Sequence, residues 1–482
     1  MLKPLSLEHA RLVREFLASA QYTQKEFQEK LPLREMPARG SPDLQVWLER
    51  LRDPSTLHVL LRCFYLGVPI DAQTFRTAVP DPVRVAMETS GMVLRDGESI
   101  TAAITLTPSD PYWIAADTAA KIESQDPDLI VWPNPTTKLL DQFAIRQPVQ
   151  KTLDLGAGCG VQAVLAAAHS GQVTATDLNP RAEVFTCFNA ALNGIANVEY
   201  LNGDTFEPVR NRTFDLILSN PPFFVTPTQG RLYCESGMEL DGYCRRVMRE
   251  APDHLSDGGW FQMVFEWVQL RGQSWQERLL TWIQRIPCDI WIFRGYSRNA
   301  ETYARERCRQ SAKGDQILEH WLSYYEQNSV EQIHGGLLAM RRRHGSNWLR
   351  IQDMPLEPGG PFGEAVLQGF ASMDFLETNQ SDEAMLAACP RISPDAVLDQ
   401  QMRQADGQWR VSRMQLRFAA GIPDSINLDP SVAGFLARLD GRRTLREAIE
   451  ELAKRVYADS GTVQQECLKV VRKLLQTRFL IP

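Results

Sequence analysis

From about residue 151 the apolar positions alternate between short, dense runs and stripes of helical period. KTLDL, QVTATD, VEYLNGD, FDLILSN and WFQMVFEWV have the length and composition of strands, with helical segments GVQAVLAAAHS, RAEVFTCFNAALNG and DGYCRRVMREAPDHL between them. Repeated strand–helix alternation calls for a mostly parallel sheet covered by helices on both faces, the α/β class. The pattern continues through CDIWIFRGY and ends at GLLAMRRR and NWLRIQD, which read as two paired final strands.

The flanks follow other rhythms. A first helix carries Leu7, Val13, Phe16 and Leu17, and helical patterns follow in LQVWLERL, LHVLLRCFYLG and Val83 to Gly91. MVLRDGESITAAITL then places Asp96-Gly97 between two strand-like runs, where glycine suits a tight hairpin turn. Helices followed by a hairpin resemble a winged-helix module; a helical cap with a small hairpin fits the same pattern. PLEPGGPFG, from Pro355, reads as a linker. Beyond it the chain is helical again, with a capping box at Thr444 to Glu447. An apolar face follows on Val463, Leu468, Val471, Leu474 and Leu475, and FLIP forms a terminal strand. The expected division is an N-terminal helical, winged-helix-like recognition domain over 1–125, a central α/β domain over 126–355, and an α+β, winged-helix-like domain over 356–482.

Composition narrows the picture without changing it. The 482 residues are 44% hydrophobic and 23% charged, the balance of a soluble globular chain of two or three domains. No apolar run approaches the roughly 20 residues of a membrane span, and the N-terminus carries charges where a secretory signal would be apolar. Nine cysteines without a C-x-x-C pair point to a reducing cytoplasm and away from a disulfide framework or a metal site. A net charge of -7 excludes wholesale electrostatic capture of nucleic acid. The clusters Arg341, Arg342, Arg343, His344 and Arg442, Arg443, Arg446 read as solvated faces with balancing acids nearby.

The candidate chemistry begins at Leu153-Asp154-Leu155-Gly156-Ala157-Gly158-Cys159-Gly160, between a strand and a helix. Three glycines let backbone and helix N-terminus come close to a ligand. A dinucleotide loop, G-x-G-x-x-G, needs its third glycine at 161, but that residue is Val161, which argues against a nicotinamide or flavin enzyme. Asp177 ends the next strand, where a carboxylate can hold ribose hydroxyls, and Asp204 ends the third, where it could accept from an adenine amine. Asn220-Pro221-Pro222-Phe223 leaves the fourth strand, rigid because two prolines fix φ.

The order LDLGAGCG, TATDLNP, NGDTF, LSNPPF resembles the class I S-adenosylmethionine-dependent methyltransferases of the "methyltransferase small" type, over roughly residues 130 to 355. Their relatives methylate adenine or cytosine amines and release-factor glutamines. The resemblance implies a Rossmann-like seven-stranded sheet and S-adenosyl-L-methionine as cofactor. It implies that Gly156, Gly158 and Gly160, with Ala157 and Cys159, wrap the methionine portion. Asp154 would orient the methionine amine, Asp177 and Leu178 would lie at the ribose, and Asp204 with Thr205 would flank the adenine. Pro133-Asn134-Pro135-Thr136-Thr137 looks like the cofactor-lid segment, departing from the P-x-P-x-T-E form of the glutamine enzymes.

A sulfonium is already an activated methyl donor, so the obstacle is a nitrogen lone pair delocalised into its π-system. Acceptors from Asn220 and the Pro221 carbonyl could take both N–H bonds and turn the lone pair toward the methyl group. Phe223 offers a stacking face with Phe224 behind it. Arg231, Tyr233 and Glu235, in the segment Thr226 to Leu240, are candidate substrate contacts. The expected function is N-methylation of a macromolecule, with an exocyclic base amine in RNA or DNA favoured over a protein glutamine. A small-molecule methyltransferase and a non-catalytic cofactor- or RNA-binding scaffold are the alternatives.

Overall fold

The computed structural model describes residues 2–31, 42–124, 126–228, 231–308, 314–354, 360–456 and 459–482. Residues 355–359, which open the expected linker, lie outside the described residues.

The central strands are β1 (Val149–Leu155), β2 (Ser170–Asp177), β3 (Val198–Asn202), β4 (Phe214–Ser219), β5 (Leu255–Leu270), β6 (Cys288–Asn299), β7 (Val330–Arg342) and β8 (Leu349–Asp353). They form one eight-stranded sheet in the order β8-β6-β7-β5-β4-β1-β2-β3. The strands from β1 to β5 run parallel, and β7 is inserted antiparallel between β5 and β6. Leu216, Ile217 and Leu218 of β4 are wholly buried, as a parallel strand covered on both faces requires. The order reverses between β1 and β4, so a crevice opens beyond their carboxyl ends, where open α/β sheets bind ligands.

The last two strands correct the sequence reading. β8 pairs in parallel with β6 and not with β7. Strand β7 already has β5 on one edge and β6 on the other, leaving it no free backbone edge. β8 therefore extends the expected seven strands at the outer edge of β6.

The N-terminal region contains the helix-turn-helix Ala72–Ala78 and Asp81–Thr89, followed by the hairpin Val93–Asp96 and Ser99–Ala102. Ile70–Asp71 completes a three-stranded antiparallel sheet on the other edge of Ser99–Ala102. The hairpin turns at Asp96-Gly97, as its sequence predicts. Its core does not stop at residue 125. Val13, Leu17, Phe64, Phe75, Met87 and Ile114 lie in one buried cluster with Phe185, Phe188 and Leu192 of the helix after β2. Arg181 of that helix holds Asp117 through two bonds of 2.7 Å. Met1–Asp141 and Gln147–Asp353 accordingly form one compact unit.

The second unit comprises Gln142–Arg146 and Met354–Pro482. Its own core gathers Met385, Leu386, Leu416, Phe435, Leu445, Leu468, Val471 and Phe479. The capping box closes reciprocally: Thr444 N–H donates to Glu447 at 2.9 Å and Glu447 N–H to Thr444 Oγ1 at 3.3 Å. The terminal strand Leu480–Ile481 pairs with Arg391–Ile392. A long hairpin, Ala396–Ala405 with Gln408–Phe418, precedes the helices Pro430–Leu436, Leu445–Val456 and Ser460–Gln476. Among the described residues no helix is long and apolar enough to cross a membrane.

Candidate active site

A cavity of about 520 Å³ sits in the crevice beyond β1, β2 and β4, within the usual range for a small-molecule site. Asp154, Gly156, Ala157, Gly158, Cys159, Asp177, Leu178, Asp204, Thr205, Asn220 and Pro222 line it. Eleven positions spread over 69 residues of sequence thus meet at one cavity, while Gly160, Pro221 and Phe223 stand outside its wall.

The glycine loop is braced in a way its sequence did not reveal. Gly156 and Ala157 donate their N–H groups to the Thr176 carbonyl, both at 2.9 Å, and Gly158 donates to Asp177 Oδ2 at 2.8 Å. These amides are spent on β2, so the loop offers a ligand its small profile more than its donors. Gly160 answers to packing. Its φ is +73°, and a Cβ there would lie 2.7 Å from Thr186 Oγ1. The third glycine lets the helix Arg181–Leu192 close onto the loop. Burial pushes the Cys159 thiol up to about 12, consistent with a small packing residue and not a nucleophile.

Four acids line the cavity: Asp154, Asp177, Asp204 and Glu235. Asp154 accepts from Ala163 N–H at 2.9 Å, and burial pushes its carboxyl up to about 7, with Asp177 adding to the shift. Asp177 is raised too, because burial outweighs the amides of Asn179 and Gly158 that bond to it. Asp204 departs from expectation. Its Oδ2 accepts from Arg246 at 2.8 Å and its Oδ1 from Thr205 Oγ1 at 2.7 Å. Against the effect of burial, these two partners hold its carboxyl below the usual range. The acceptor expected for an adenine amine is therefore half of an ion pair, and Tyr243 and Arg246 join it in the wall. They stand on Gly242–Glu250, about 40 residues later and outside any motif.

Asn220 leaves β4 beside the first turn of the helix Pro135–Phe143. Its Nδ2 lies 3.5 Å from both Thr136 Oγ1 and Thr137 Oγ1, and Asn134 Oδ1 caps that turn by accepting from Thr137 N–H at 3.0 Å. The Pro133 to Thr137 segment is thus brought to Asn220, and Asn134 and Thr137 line the cavity. Asn220 Oδ1 is buried and accepts no hydrogen bond. A buried amide oxygen left unpaired costs about 1–3 kcal/mol, so one on a residue that lines a cavity leaves an acceptor for a bound donor.

In the described part of the segment Thr226 to Leu240, Tyr233 and Glu235 line the cavity. Arg231 does not: its guanidinium is committed to Glu235 Oε1 at 2.6 and 2.8 Å. Trp132, Gln162 and Met238 also line it and carried no sequence signal beyond proximity to a motif.

Residues 134–275 match the family model of the methyltransferase small domain. The release factor glutamine methyltransferase of Cereibacter sphaeroides is 38% identical over 142 residues, 26% of this chain and 50% of that protein. The ribosomal protein uL3 glutamine methyltransferase of Bradyrhizobium diazoefficiens is 31% identical over 30% of this chain and 50% of its own length. The ribosomal RNA small subunit methyltransferase C of Alcanivorax borkumensis is 31% identical over 24% of this chain and 31% of its own length. The chain spans about half the length, or less, of these relatives.

Behind the tetrapeptide, the same compact unit holds a buried ionic cluster. Glu266 of β5 is 1% exposed and accepts from Tyr296, Tyr303 and Arg307, the last at 2.8 Å. Gly335 of β7 makes room for Tyr296, since a Cβ there would lie 2.1 Å from its ring. The Arg307 guanidinium stacks 3.7 Å from the Phe224 ring centroid. Tyr303 Oη accepts from Val225 N–H at 3.3 Å, and Tyr325 Oη donates to the Val225 carbonyl at 2.6 Å. The peptide after Asn220-Pro221-Pro222-Phe223 is thereby clamped on both its polar groups. Phe223 itself is 9% exposed and packs 5.6 Å from Phe224, which places it in the support of the loop and not in the cavity wall.

Proposed function

We propose that the protein is an S-adenosylmethionine-dependent N-methyltransferase that methylates a planar nitrogen, most favourably an exocyclic amine of a nucleic-acid base. The observation that carries this reading is Asn220 Oδ1, buried at the cavity without a donor. An NH₂ group conjugated to a ring or carbonyl supplies the missing donor. The residues around the cavity suit the cofactor: Asp154 for its ammonium group, Asp177 for the ribose hydroxyls, and Tyr243 with Thr205 about the adenine. When bound, the cofactor supplies a methyl group on a positively charged sulfur, open to in-line attack.

The protein's part is orientation. Asn220 Oδ1 accepts one N–H of the reacting amine. That bond pulls the nitrogen away from planarity and aims its lone pair. As the new C–N bond forms and the C–S bond breaks, the nitrogen becomes cationic and acidic. It releases one proton to water, so no strong base is required. A second reading, methylation of a glutamine amide, is favoured by the 38% and 31% identities to glutamine methyltransferases, and the Asn220 acceptor would serve it too. Incubation with methyl-labelled cofactor and total RNA, DNA and protein separates the two. Label removed by nuclease supports the base amine, label removed only by protease supports glutamine, and label in neither overturns both.

The Asp154 carboxyl gives this reading a pH signature. With its pKa raised to about 7, it holds a proton over part of the neutral range. An ammonium partner favours the carboxylate, so cofactor affinity is expected to rise about fivefold from pH 6 to pH 7.3. The apo protein shows the opposite sign. The unfolded chain loses this proton near pH 4, so the contribution to stability declines as pH rises from there to about 7 and is then constant. Calorimetric titration with S-adenosylhomocysteine checks the first statement. Asp154→Asn should flatten the pH dependence, and an unchanged profile would remove Asp154 from amine binding.

A further inference from the structure

We infer that the hairpin Ala396–Ala405 with Gln408–Phe418 is a nucleic-acid-binding arm, its arginine face meeting phosphates and its outer aromatic meeting a base. The inference deepens the methyl-transfer reading by naming the class of its substrate, and it rests on observations in the second unit alone.

The register of the hairpin sorts its side chains. Opposed residues of an antiparallel pair share a face. Leu398 with Leu416 and Gln400 with Met414 begin on the core-facing side, and Met402 with Val411 and Gln404 with Trp409 continue that face outward. Leu416 is buried in the core, but Met402 is 52% and Trp409 67% exposed. The other face carries Gln401 opposite Arg413 and then Arg403 opposite Arg410. Like charges directly opposite each other destabilise a strand pair. Among the described residues, Arg403 has no ion-pair partner and Arg413 bonds only the neutral Asn427, at 3.1 Å, while Arg410 has the exposed Asp406 at 3.6 Å.

The other basic clusters named above have carboxylates beside most of their cations. Arg341 and Arg343 lie 2.7 and 3.5 Å from Asp289, Arg342 and His344 3.6 and 3.1 Å from Asp257. Arg443 and Arg446 pair with Glu451 and Glu383 at 3.1 and 2.5 Å. On the helix Asp81–Thr89, Arg84 is held between Asp81 and Glu88 at 2.8 and 3.2 Å. The hairpin itself carries four arginines, 403, 410, 413 and 417, against two carboxylates, Asp399 and Asp406. Residues 400–417 also hold five glutamines, 400, 401, 404, 408 and 415, polar without being anionic. The arginine face offers cations to phosphates, and Trp409, on the opposite face near the tip, offers a ring to a base of a strand that passes round the end of the hairpin. An acidic protein surface would use the arginines but leave Trp409 without a role.

Fluorescence anisotropy tests the arm in the full-length protein, without cofactor, on labelled single-stranded RNA, the matching single-stranded DNA and the duplex. Polyglutamate serves as competitor. The triple change Arg403→Glu, Arg410→Glu and Arg413→Glu should lower affinity at least about tenfold and reduce the log–log salt slope by about two to three. Trp409→Ala should lower affinity about tenfold with the slope unchanged. All four positions are exposed, and unchanged thermal melting certifies the fold. Binding is measured without cofactor, so its loss is read separately from loss of methyl transfer. Which labelled strand binds tightest names RNA or DNA. No binding by the wild type at low salt, unaltered binding by both variants, or equal competition by polyglutamate would each overturn the nucleic-acid arm, the last pointing to an acidic protein.

Discussion

Asn220→Ala is expected to lower the rate of methyl transfer by about two to three orders of magnitude while cofactor affinity stays within about twofold. The size follows from the role. Removing one preorganised hydrogen-bond partner of the reacting group costs about 2.7–4 kcal/mol, and each 1.36 kcal/mol is a factor of ten. The selectivity follows from the geometry. The side chain is held from its amide end, 3.5 Å from Thr136 and Thr137, and its oxygen carries no partner in the protein. Truncation therefore removes the acceptor while Asp154 and Asp177 keep their bonds to Ala163, Asn179 and Gly158. Asn220→Asp retains an oxygen at that place and should recover part of the rate. Single-turnover transfer of labelled methyl, with calorimetry for the cofactor, measures both quantities. Full turnover by the alanine variant would remove Asn220 from the chemistry.

The second large effect is on stability. Glu266→Ala should destabilise the catalytic unit by about 3–5 kcal/mol, because it leaves the Arg307 charge and two tyrosine hydroxyls buried without their common acceptor. The direction of the Glu266 shift shows how finely the site is balanced: burial raises the carboxyl even against Arg307, Tyr296 and Tyr303. For a unit of this size the loss corresponds to a fall in melting temperature of about 5–10 °C. Glu266→Gln keeps an acceptor and should lose less. Paired replacement of Glu266 and Arg307 by apolar residues should cost less than the two single changes added together, since neither charge is then stranded. Additive losses in thermal melting would show that the two side chains are not coupled. Any loss of methyl transfer in Glu266→Gln at a temperature where it is folded would come through the clamp on Val225.

The relation between sequence and structure differs from one feature to the next. The parallel sheet was legible because each strand and helix advertises itself through its own period of apolar residues. The hairpin turn at Asp96-Gly97 and the capping box at Thr444 and Glu447 were legible for the same reason: each is decided by bonds within about four residues. The displaced third glycine was legible as a departure from the dinucleotide loop. Its physical cause, the approach of Thr186, was not. Asp204 shows the limit most directly. Its place at a strand end follows from local pattern, but Arg246 reaches it from another helix and takes one of its oxygens.

By itself, then, the sequence determined the α/β class, the order of the cofactor-side motifs and the rigid Asn220 to Phe223 exit, because spacing and backbone restriction are local properties. Only the tertiary structure decided which groups remain available. It spent the glycine-loop amides on β2, Arg231 on Glu235 and Asp204 on Arg246, and left Asn220 Oδ1 buried and unpaired. It also joined residues before 125 to the core of the central α/β domain and sent β8 to the edge of β6. The reason is the same throughout. A polar group's partner and a strand's free edge depend on which distant elements the crossovers bring alongside, and no local pattern carries that information.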